Sequence, residues 1–268
     1  MARQLEEKIM KPLGRVYLIA ILIFLYTPIL VMMAMGFNAS PLYELPFSFS
    51  LQWYQALWNN SVLLTAGLNS IIIASITAVL ATALGTMASV ALSRRTFRGK
   101  SFLQLMLLPP IAIPWLITGT AMLIFFYWSG IGRGMHALLI GHVALAIPYV
   151  VLVVGTGFRT IRADLEEAAM SLGSTPVHAF FSVTLPLLYP SILGAALFAF
   201  AVSLDQFVIS YFLATPGYTT LPVQIYSSIR KGFTPEINAI STVLLLGSMT
   251  IILIFARFAK PGDTRDKR

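Results

Sequence analysis

Residues 62–92 read VLLTAGLNSIIIASITAVLATALGTMASVAL, a stretch without a charged side chain. A membrane-spanning helix needs about 20 mostly apolar residues, so this stretch is long enough to cross a bilayer with tilt. Charged residues make up only 10% of the 268-residue chain and hydrophobic residues 57%, whereas a soluble domain carries roughly 25% charged residues. The sequence therefore predicts an integral membrane protein, and it argues against nucleic-acid binding despite a formal net charge of +8.

Five further stretches have the same apolar character, which predicts an all-α fold with six membrane-spanning helices. The predicted spans are residues 16–35, 62–92, 101–128, 135–158, 187–213 and 237–256. The first span can also be interpreted as a secretory signal peptide, because basic residues precede it. Its apolar core of about 20 residues is longer than the typical signal-peptide core of about 7–15 residues, which favours a true span.

Prolines interrupt two of the predicted spans. Pro109, Pro110 and Pro114 lie in the third span, and Pro148 lies in the fourth. Proline removes a backbone donor and kinks a helix. Two interpretations remain open at this point: simple kinks, or segments that border a translocation path.

The distribution of Lys and Arg predicts the orientation. Six spans place both termini on one side of the membrane. If that side is the cytoplasm, fifteen of the 18 Lys and Arg residues are inside. The three outside are Arg133, Arg230 and Lys231. The positive-inside rule therefore predicts cytoplasmic termini, with residues 42–60 and 214–235 outside.

The loop between the fourth and fifth spans, residues 159–186, contains several signals for the start and end of short helices. Asp164 followed by Glu167 is typical of a capping box that opens a helix. Gly173 stands where a helix-ending left-handed residue is favoured. Thr175 with Pro176 predicts the start of a second short helix, and Leu185-Pro186 predicts its end. Leu165, Ala168, Ala169 and Leu172 form a narrow apolar stripe on the first helix. From these features alone, an ordinary connector at the membrane surface remains an open interpretation.

The spacing within this loop resembles the EAA loop of ABC-importer permeases. The matching residues are Glu167, Ala168, Ala169, Gly173, Val183, Leu185 and Pro186, with Val183 in place of the family's isoleucine. The resemblance implies a type I ABC-importer permease fold in which these residues dock on an ATPase subunit through coupling helices. It also implies several partners: a cytoplasmic ABC ATPase dimer, a second permease subunit that is either a distinct chain or another copy, a periplasmic solute-binding protein and the surrounding lipid of the bacterial inner membrane.

A second set of residues resembles the spermidine/putrescine importer permeases, in their C-type half. The set includes Trp53-Tyr54, Asn69-Ser70, Phe97–Lys100, Ser203–Asp205, Pro216–Tyr218, Leu221-Pro222, Ile225–Ser227 and Pro235-Glu236. This resemblance implies transport of polyamines or a related amine-bearing solute. The expected organisation is an N-terminal helix and periplasmic loop over residues 1–61, a permease core over 62–258 and a basic tail over 259–268.

Asp205 is the only acidic residue inside a predicted span. A charge at a helix centre is disfavoured by about 2.5–3.5 kcal/mol on insertion scales, so such an acid usually faces protein or a wet cavity. It can have a structural partner, or it can attract a cationic solute along a pathway to which Phe207 and Tyr211 contribute cation–π attraction. Gln206 stands where polyamine-type relatives often have a second acid, which leaves a monoamine or modified amine open.

Other kinds of function find little support in the sequence. Gly99-Lys100-Ser101 resembles the end of a phosphate-binding loop, but Arg94 stands where the motif needs its first glycine. We therefore expect no ATP site or other cofactor in this chain, with ATP bound by the partner ATPase. The histidines lack metal-ligand spacing, and no catalytic cluster is evident, so neither metal nor catalytic residues are expected. The main alternative is an ion-gradient-driven secondary transporter, which would be expected to carry several intramembrane carboxylates.

Overall fold

The computed structural model describes residues 2–41, 44–162, 164–232 and 235–258. Within these ranges the chain forms helices and a single isolated β-bridge, between Asn38 and Phe49, and no strand. In chain order the helices are α1 (Ala2–Met35), α2 (Gln52–Asn59), α3 (Ser61–Arg94), α4 (Lys100–Met106), α5 (Pro109–Ala112), α6 (Trp115–Trp128), α7 (Met135–Thr160), α8 (Asp164–Ser171), α9 (Pro176–Ala179), a π-helical turn (Phe180–Thr184), α10 (Leu185–Leu204), α11 (Val208–Leu213), α12 (Leu221–Lys231) and α13 (Glu236–Phe258). The prediction of an all-α fold is confirmed.

Four continuous helical segments are long and apolar enough to cross a membrane. They are Leu13–Met35 within α1, all of α3, all of α7, and Pro176–Leu204, which joins α9, the π-helical turn and α10. The pair Lys100–Ala112 and Trp115–Trp128 can form a fifth span, and Glu236–Ile251 of α13 is a shorter apolar stretch. Length and composition thus support four or five spans in the described ranges. The sixth span stays a prediction, and the basic tail lies outside the described residues.

The third predicted span is bent far more sharply than a kinked helix. Its two halves meet at an angle of 109° across Ile113 and Pro114. Ile113 has extended backbone angles (φ −76°, ψ 134°), as expected for a residue that precedes proline. Pro148, by contrast, lies inside α7, which continues through it to Thr160.

The prediction that Leu185-Pro186 ends a helix is wrong. The helix that begins at Pro176 runs through these residues to Leu204. The change of geometry comes just before them, where Phe180–Thr184 form a π-helical turn. A proline ring clashes with the carbonyl four residues earlier in a regular helix, and the wider π turn is a local departure of the kind that relieves such crowding.

The chain divides into two compact units. The larger contains residues 62–227 together with the C-terminal residues from 248. One of its cores joins α3, α6, α7 and α11 through Ile73, Phe126, Leu138 and Ile209. A second core joins α3, α7 and α10 through small and β-branched side chains: Ala81, Ala146, Val150, Val154, Ala195 and Ala199. Small residues let membrane helices approach closely, and Gly85 lies so near Val150 that an added Cβ would be 2.6 Å from its Cγ1.

The smaller unit contains residues 1–61 and 228–247. Its loop after α1 is organised by Asn38, which is fully buried. The Asn38 side chain accepts from the Ser48 N–H at 3.0 Å and donates to the Glu44 carbonyl at 3.0 Å. The Trp53 indole donates to the Asn38 carbonyl at 2.7 Å, and the Asn60 amide donates to Glu236 at 2.8 Å.

Candidate functional site

The bend between α8 and α9 has the geometry that the sequence predicts. Gly173 has a φ of +94°, the left-handed conformation that glycine adopts without strain. Its N–H donates to the Met170 carbonyl at 3.0 Å, and the Ser174 N–H donates to the Ala169 carbonyl at 3.1 Å. These two bonds form a Schellman motif, which closes the end of α8. At the start of α9, the Thr175 hydroxyl accepts from the His178 N–H at 3.3 Å, with Pro176 next in the chain.

The predicted capping role of Asp164 is wrong. Asp164 lies in the first turn of α8 instead of preceding it. Its carboxylate accepts from the Arg162 guanidinium, with one Nε–Oδ1 distance of 3.1 Å. An acid in the first turn still favours the positive end of the helix dipole, so Asp164 stabilises the start of α8 without capping it.

The outer face of α8 and α9 is apolar and open. Leu172 is 90% exposed and Val177 68% exposed, and Leu165, Glu167 and Ala168 are also exposed. Large apolar side chains grouped on an exposed surface usually mark an interaction site. Gly173 leaves open space beside its Cα, so a partner surface can come close to the bend.

The inner side of α8 is fixed by a polar network that the sequence analysis missed. The Glu166 side chain is only 13% exposed and forms an ion pair with Arg94, which is 33% exposed. Thr184 accepts from Arg94 at 2.9 Å and donates to Glu166 at 3.0 Å. The Arg94 guanidinium holds the pKa of Glu166 below its ordinary value, while burial acts in the opposite direction. The network joins α8, the end of α3 and the π-helical turn.

Aromatic rings complete the surroundings of Arg94. The guanidinium carbon lies 5.7 Å from the ring centroid of Phe158 and 5.6 Å from that of Phe180. Both distances are within the range of a cation–π interaction. The charge of Arg94 is thus balanced by one carboxylate and two aromatic faces, which makes it the central contact between α8 and the ends of three other helices.

Three of the predicted docking residues lie apart from the α8–α9 bend. Val183 is in the π-helical turn, and Leu185 and Pro186 begin α10. Val183 and Leu185 are half-buried. The structure thus separates the predicted set into an exposed part, with Glu167, Ala168 and Gly173, and a part that shapes the start of the following helix.

Asp205 is not inside a continuous helix, which corrects the predicted span 187–213. It is the C-cap of α10, and α11 begins only at Val208. The Asp205 side chain is exposed. The carbonyl ends of a helix carry partial negative charge, so the carboxylate and the end of α10 both favour a cation at this break.

A buried histidine that the sequence analysis discounted bridges the break. The His142 ring lies between two hydroxyl groups, with Nδ1 2.7 Å from Ser203 Oγ and Nε2 2.9 Å from Ser210 Oγ. Ser210 donates its proton to the Gln206 carbonyl at 2.7 Å, so it must accept from the Nε2–H of His142. In the neutral ring, Nδ1 then accepts from Ser203. This chain of hydrogen bonds supplies partners where the α10 ladder is interrupted, as a membrane interior requires.

Gln206 lies in the same break but is buried, with 1% of its surface exposed. Within the described part of the chain, neither its amide oxygen nor its amide nitrogen has a hydrogen-bond partner. The Gln206 side chain is therefore withdrawn from the surface that Asp205 shares.

Three aromatic side chains lie close together, and the first of them, Phe207, is two residues after Asp205. Ring centroids are 5.6 Å apart for Phe207 and Tyr211, 5.0 Å for Phe207 and Tyr226, and 5.8 Å for Tyr211 and Tyr226. Phe207 and Tyr211 are residues that the sequence analysis proposed, whereas Tyr226 comes from α12. We call Asp205, Phe207, Tyr211 and Tyr226 the acid–aromatic cluster.

Hydrogen bonds from α3 hold the segment that leads into α12 and brings Tyr226 to this cluster. Asn69 of α3 donates to the carbonyls of Gly217 at 3.3 Å and Thr219 at 3.1 Å. The Ser70 hydroxyl accepts from the Leu221 N–H at 2.7 Å. Leu221 is fully buried at the start of α12. The pair Asn69-Ser70 therefore anchors α12 on α3.

Two signals in the sequence mark the missed residues. Glu166 lies one position after Leu165 and one before Glu167, about 100° around the helix from each, so it falls on the flank of the apolar stripe. Ser203 and Ser210 are seven residues apart, near two turns of helix. No sequence rule pairs these serines with His142, because that contact depends on how α7 packs against α10 and α11.

Comparison with known proteins defines the class and then the family. In the solved structures the same fold occurs in a bacterial ABC transporter that imports alginate, with a TM-score of 0.70, 15% identity and coverage of 94% of this chain and 96% of that one. The MetNI methionine ABC transporter matches with a TM-score of 0.59 and 18% identity, over 79% of this chain and 98% of that one. At these identities the likeness shows the fold of an ABC-transporter membrane subunit.

Sequence comparison is more specific. Residues 81–261 match the binding-protein-dependent transport system inner membrane component family. The putrescine transport system permease protein PotI of Escherichia coli K12 is 39% identical, over 85% of this chain and 84% of PotI. The spermidine/putrescine transport system permease protein PotC of the same strain is 33% identical, over 93% of this chain and 96% of PotC. The chain belongs to this permease family and is a multi-pass inner-membrane component of a binding-protein-dependent importer. This family membership favours an importer permease over the ion-gradient-driven secondary transporter.

Proposed function

We propose that this chain is the permease through which a polyamine or a related amine-bearing solute crosses the membrane. The observation that carries the proposal is the acid–aromatic cluster at the break between α10 and α11. An exposed carboxylate at the negative end of a helix attracts a cation. Three aromatic rings within 6 Å of one another offer the faces on which an ammonium group binds, each worth about 0.5–2 kcal/mol.

The two Escherichia coli relatives point to the same chemistry, since PotI is a putrescine permease and PotC a spermidine/putrescine permease. Discontinuous helices that expose their ends are a recurring way to bind charged solutes in transporters. Gln206 is a neutral amide and is buried, so Asp205 is the one carboxylate of the cluster. One carboxylate suits a single ammonium group at a time, which keeps a monoamine or a modified amine within the proposed substrate class.

We further propose that the exposed face of α8 and α9 docks on an ATPase dimer, with ATP bound and hydrolysed only there. Support comes from the exposure of Leu172 and Val177 and from the bend at Gly173. A six-span arrangement with cytoplasmic termini puts this face in the cytoplasm. In that arrangement the bent pair α4–α6 supplies the third span and α13 the sixth. A second, distinct permease chain and a periplasmic binding protein complete the importer.

Uptake by the assembled importer in proteoliposomes tests the proposed substrate. Asp205→Asn keeps the shape of the side chain and removes its charge. Even in water, one charge pair at about 4 Å is worth about 1 kcal/mol, so we expect the apparent KM for labelled putrescine or spermidine to rise at least about fivefold. Asp205→Glu should transport close to the parent level. Asp164→Asn, which removes an exposed acid elsewhere, is the matched control.

The outcome that contradicts the proposal is specific. If Asp205→Asn takes up both amines with the parent KM, the cluster is not a cation site. A second pair of variants separates shape from aromatic character: Tyr226→Phe should retain uptake, and Tyr226→Leu should weaken it. Equal uptake by these two variants would remove the aromatic part of the argument.

A further inference from the structure

A cavity of about 1120 Å³ opens between the ends of α3, α4, α7 and α8. This volume is slightly above the roughly 300–1,000 Å³ of ordinary small-molecule pockets. Five cationic side chains line it: Arg94, Arg95, Lys100, Arg159 and Arg162. Glu166 and Glu167 are the acidic residues in its lining. The cavity is separate from the acid–aromatic cluster, none of whose residues lines it.

Two of the five cations are already neutralised. Arg94 pairs with Glu166, and Arg162 pairs with Asp164. In the described part of the chain, Arg95, Lys100 and Arg159 have no carboxylate within ion-pair distance. The Lys100 ammonium donates to the Arg95 backbone carbonyl at 3.3 Å, so the Lys100 side chain reaches back to the residue that follows α3. With five cationic and two acidic side chains, the cavity lining has an excess of positive charge.

The lining also has an apolar part, mainly from α3, α7 and the turn between α4 and α5, beside polar side chains such as Ser89, Gln104 and Thr156. Leu92 lies two residues before the end of α3, and Leu152 lies about two turns before the end of α7. Leu107 and Leu108 add apolar surface between α4 and α5. The cationic groups come from the ends of the same helices. A cavity with a charged rim and an apolar wall at the end of two spans lies where the lipid headgroups meet the hydrocarbon core.

We propose that this cavity binds an anionic phospholipid. The phosphate group is held by Arg95, Lys100 and Arg159, and the upper part of the acyl chains lies along Leu92, Leu107, Leu108 and Leu152. Basic pockets between membrane helices bind anionic headgroups for this reason. The same three residues repel a cationic cargo. This exclusion of the cargo rests on the proposed substrate, whereas the rest of the proposal does not. A free nucleotide or phosphate has the charge but makes no use of the apolar wall.

The binding test uses the assembled importer, purified in detergent and supplied with either phosphatidylglycerol or phosphatidylcholine. Native mass spectrometry counts retained lipid. Each cation near an anionic lipid contributes roughly a fivefold increase in binding. The triple variant Arg95→Gln, Lys100→Gln, Arg159→Gln is therefore expected to bind phosphatidylglycerol about 100-fold more weakly. The control triple variant Arg98→Gln, Arg230→Gln, Lys231→Gln loses the same charge from residues that do not line the cavity, and it should bind within about twofold of the parent.

Several results would overturn the proposal. The parent importer retaining both lipids equally would do so without any variant. Equal weakening in the two triple variants would show that only total charge matters. Displacement of phosphatidylglycerol by millimolar ATP or inorganic phosphate would assign the cavity to a soluble anion. The cavity would be assigned to a protein partner if the triple variant failed to assemble and the parent bound lipids regardless of headgroup charge. If the triple variant does not fold, the single variant Arg159→Gln should still show the roughly fivefold loss.

Discussion

Replacing Glu166 by glutamine should loosen α8 without removing its exposed face. The substitution removes the carboxylate that pairs with Arg94 and accepts from Thr184 at 3.0 Å. Hydrogen bonds to charged groups contribute about 1.5–3 kcal/mol to stability. Since about 1.4 kcal/mol corresponds to a factor of ten, local opening of α8 should become about 10- to 150-fold more frequent.

Amide hydrogen exchange of the purified permease measures this opening directly. The protected amides at the end of α8, including those of Gly173 and Ser174, should exchange faster by that factor. Asp164→Asn is the matched control, because its ion pair with Arg162 is exposed and such pairs contribute only about 0–1 kcal/mol. If the two variants speed exchange equally, Glu166 is not the residue that holds α8 in place.

The dependence on pH has a defined sign. Arg94 lowers the pKa of Glu166 in the folded chain, so the network contributes fully above the ordinary glutamate pKa of 4.5. The contribution is lost as the pH falls through the lower folded-state pKa. Exchange in the parent and in Glu166→Gln should therefore converge only in acid, below the ordinary value. Convergence already near neutral pH would contradict the assignment.

Three further predictions concern packing and backbone. Gly173→Val places a β-branched residue at a φ of +94°, which should add at least about 1–2 kcal/mol of backbone strain and reduce ATPase binding in a pull-down. Asparagine tolerates this conformation, so Gly173→Asn should bind the ATPase nearly normally. Gly85→Ala puts a Cβ 2.6 Å from Val150 Cγ1 and should lower the thermal unfolding midpoint by an overpacking cost of about 1–3 kcal/mol, whereas Gly194→Ala, with open space, should not lower it. His142→Leu leaves the hydroxyls of Ser203 and Ser210 without their ring partner and should lower the stability by about 1–3 kcal/mol. His178→Leu, at an exposed position, is the control and should not lower it. Equal thermal unfolding midpoints for the two variants would contradict the role given to His142.

The membrane character, most span positions and the bend at Gly173 were predictable because each depends on local sequence. A run without charges predicts a span wherever it occurs, and a glycine after a short amphipathic helix predicts a left-handed end. The break at Asp205 was not predictable in this way. Residues 187–213 are apolar almost throughout, so their hydrophobicity favours one helix. The contacts of His142 with Ser203 and Ser210, which span the break, depend on how α7 packs and leave no local signal in the sequence.

In the candidate sites, too, the residues set by local sequence were predictable and those set by packing were not. Phe207 and Tyr211 were predicted from their spacing after Asp205, but Tyr226 reaches them because Asn69 and Ser70 hold α12 on α3. The exposed part of the EAA pattern was found from the motif. Its buried neighbour Glu166 was not, because a motif records which residues occur together and says nothing of the helix face that each one occupies.

The continuous helix Pro176–Leu204 has a mechanical consequence. Its 29 residues correspond to a rod of about 43 Å at 1.5 Å per residue. One end of the rod meets the bend at Gly173, and the other end meets Asp205. A rotation of about 10° around its midpoint displaces each end by roughly 4 Å, more than the length of a hydrogen bond. The rod can therefore act as a lever, and a small tilt imposed at the α8–α9 bend is enough to move Asp205 out of hydrogen-bond reach of the cation proposed to bind there.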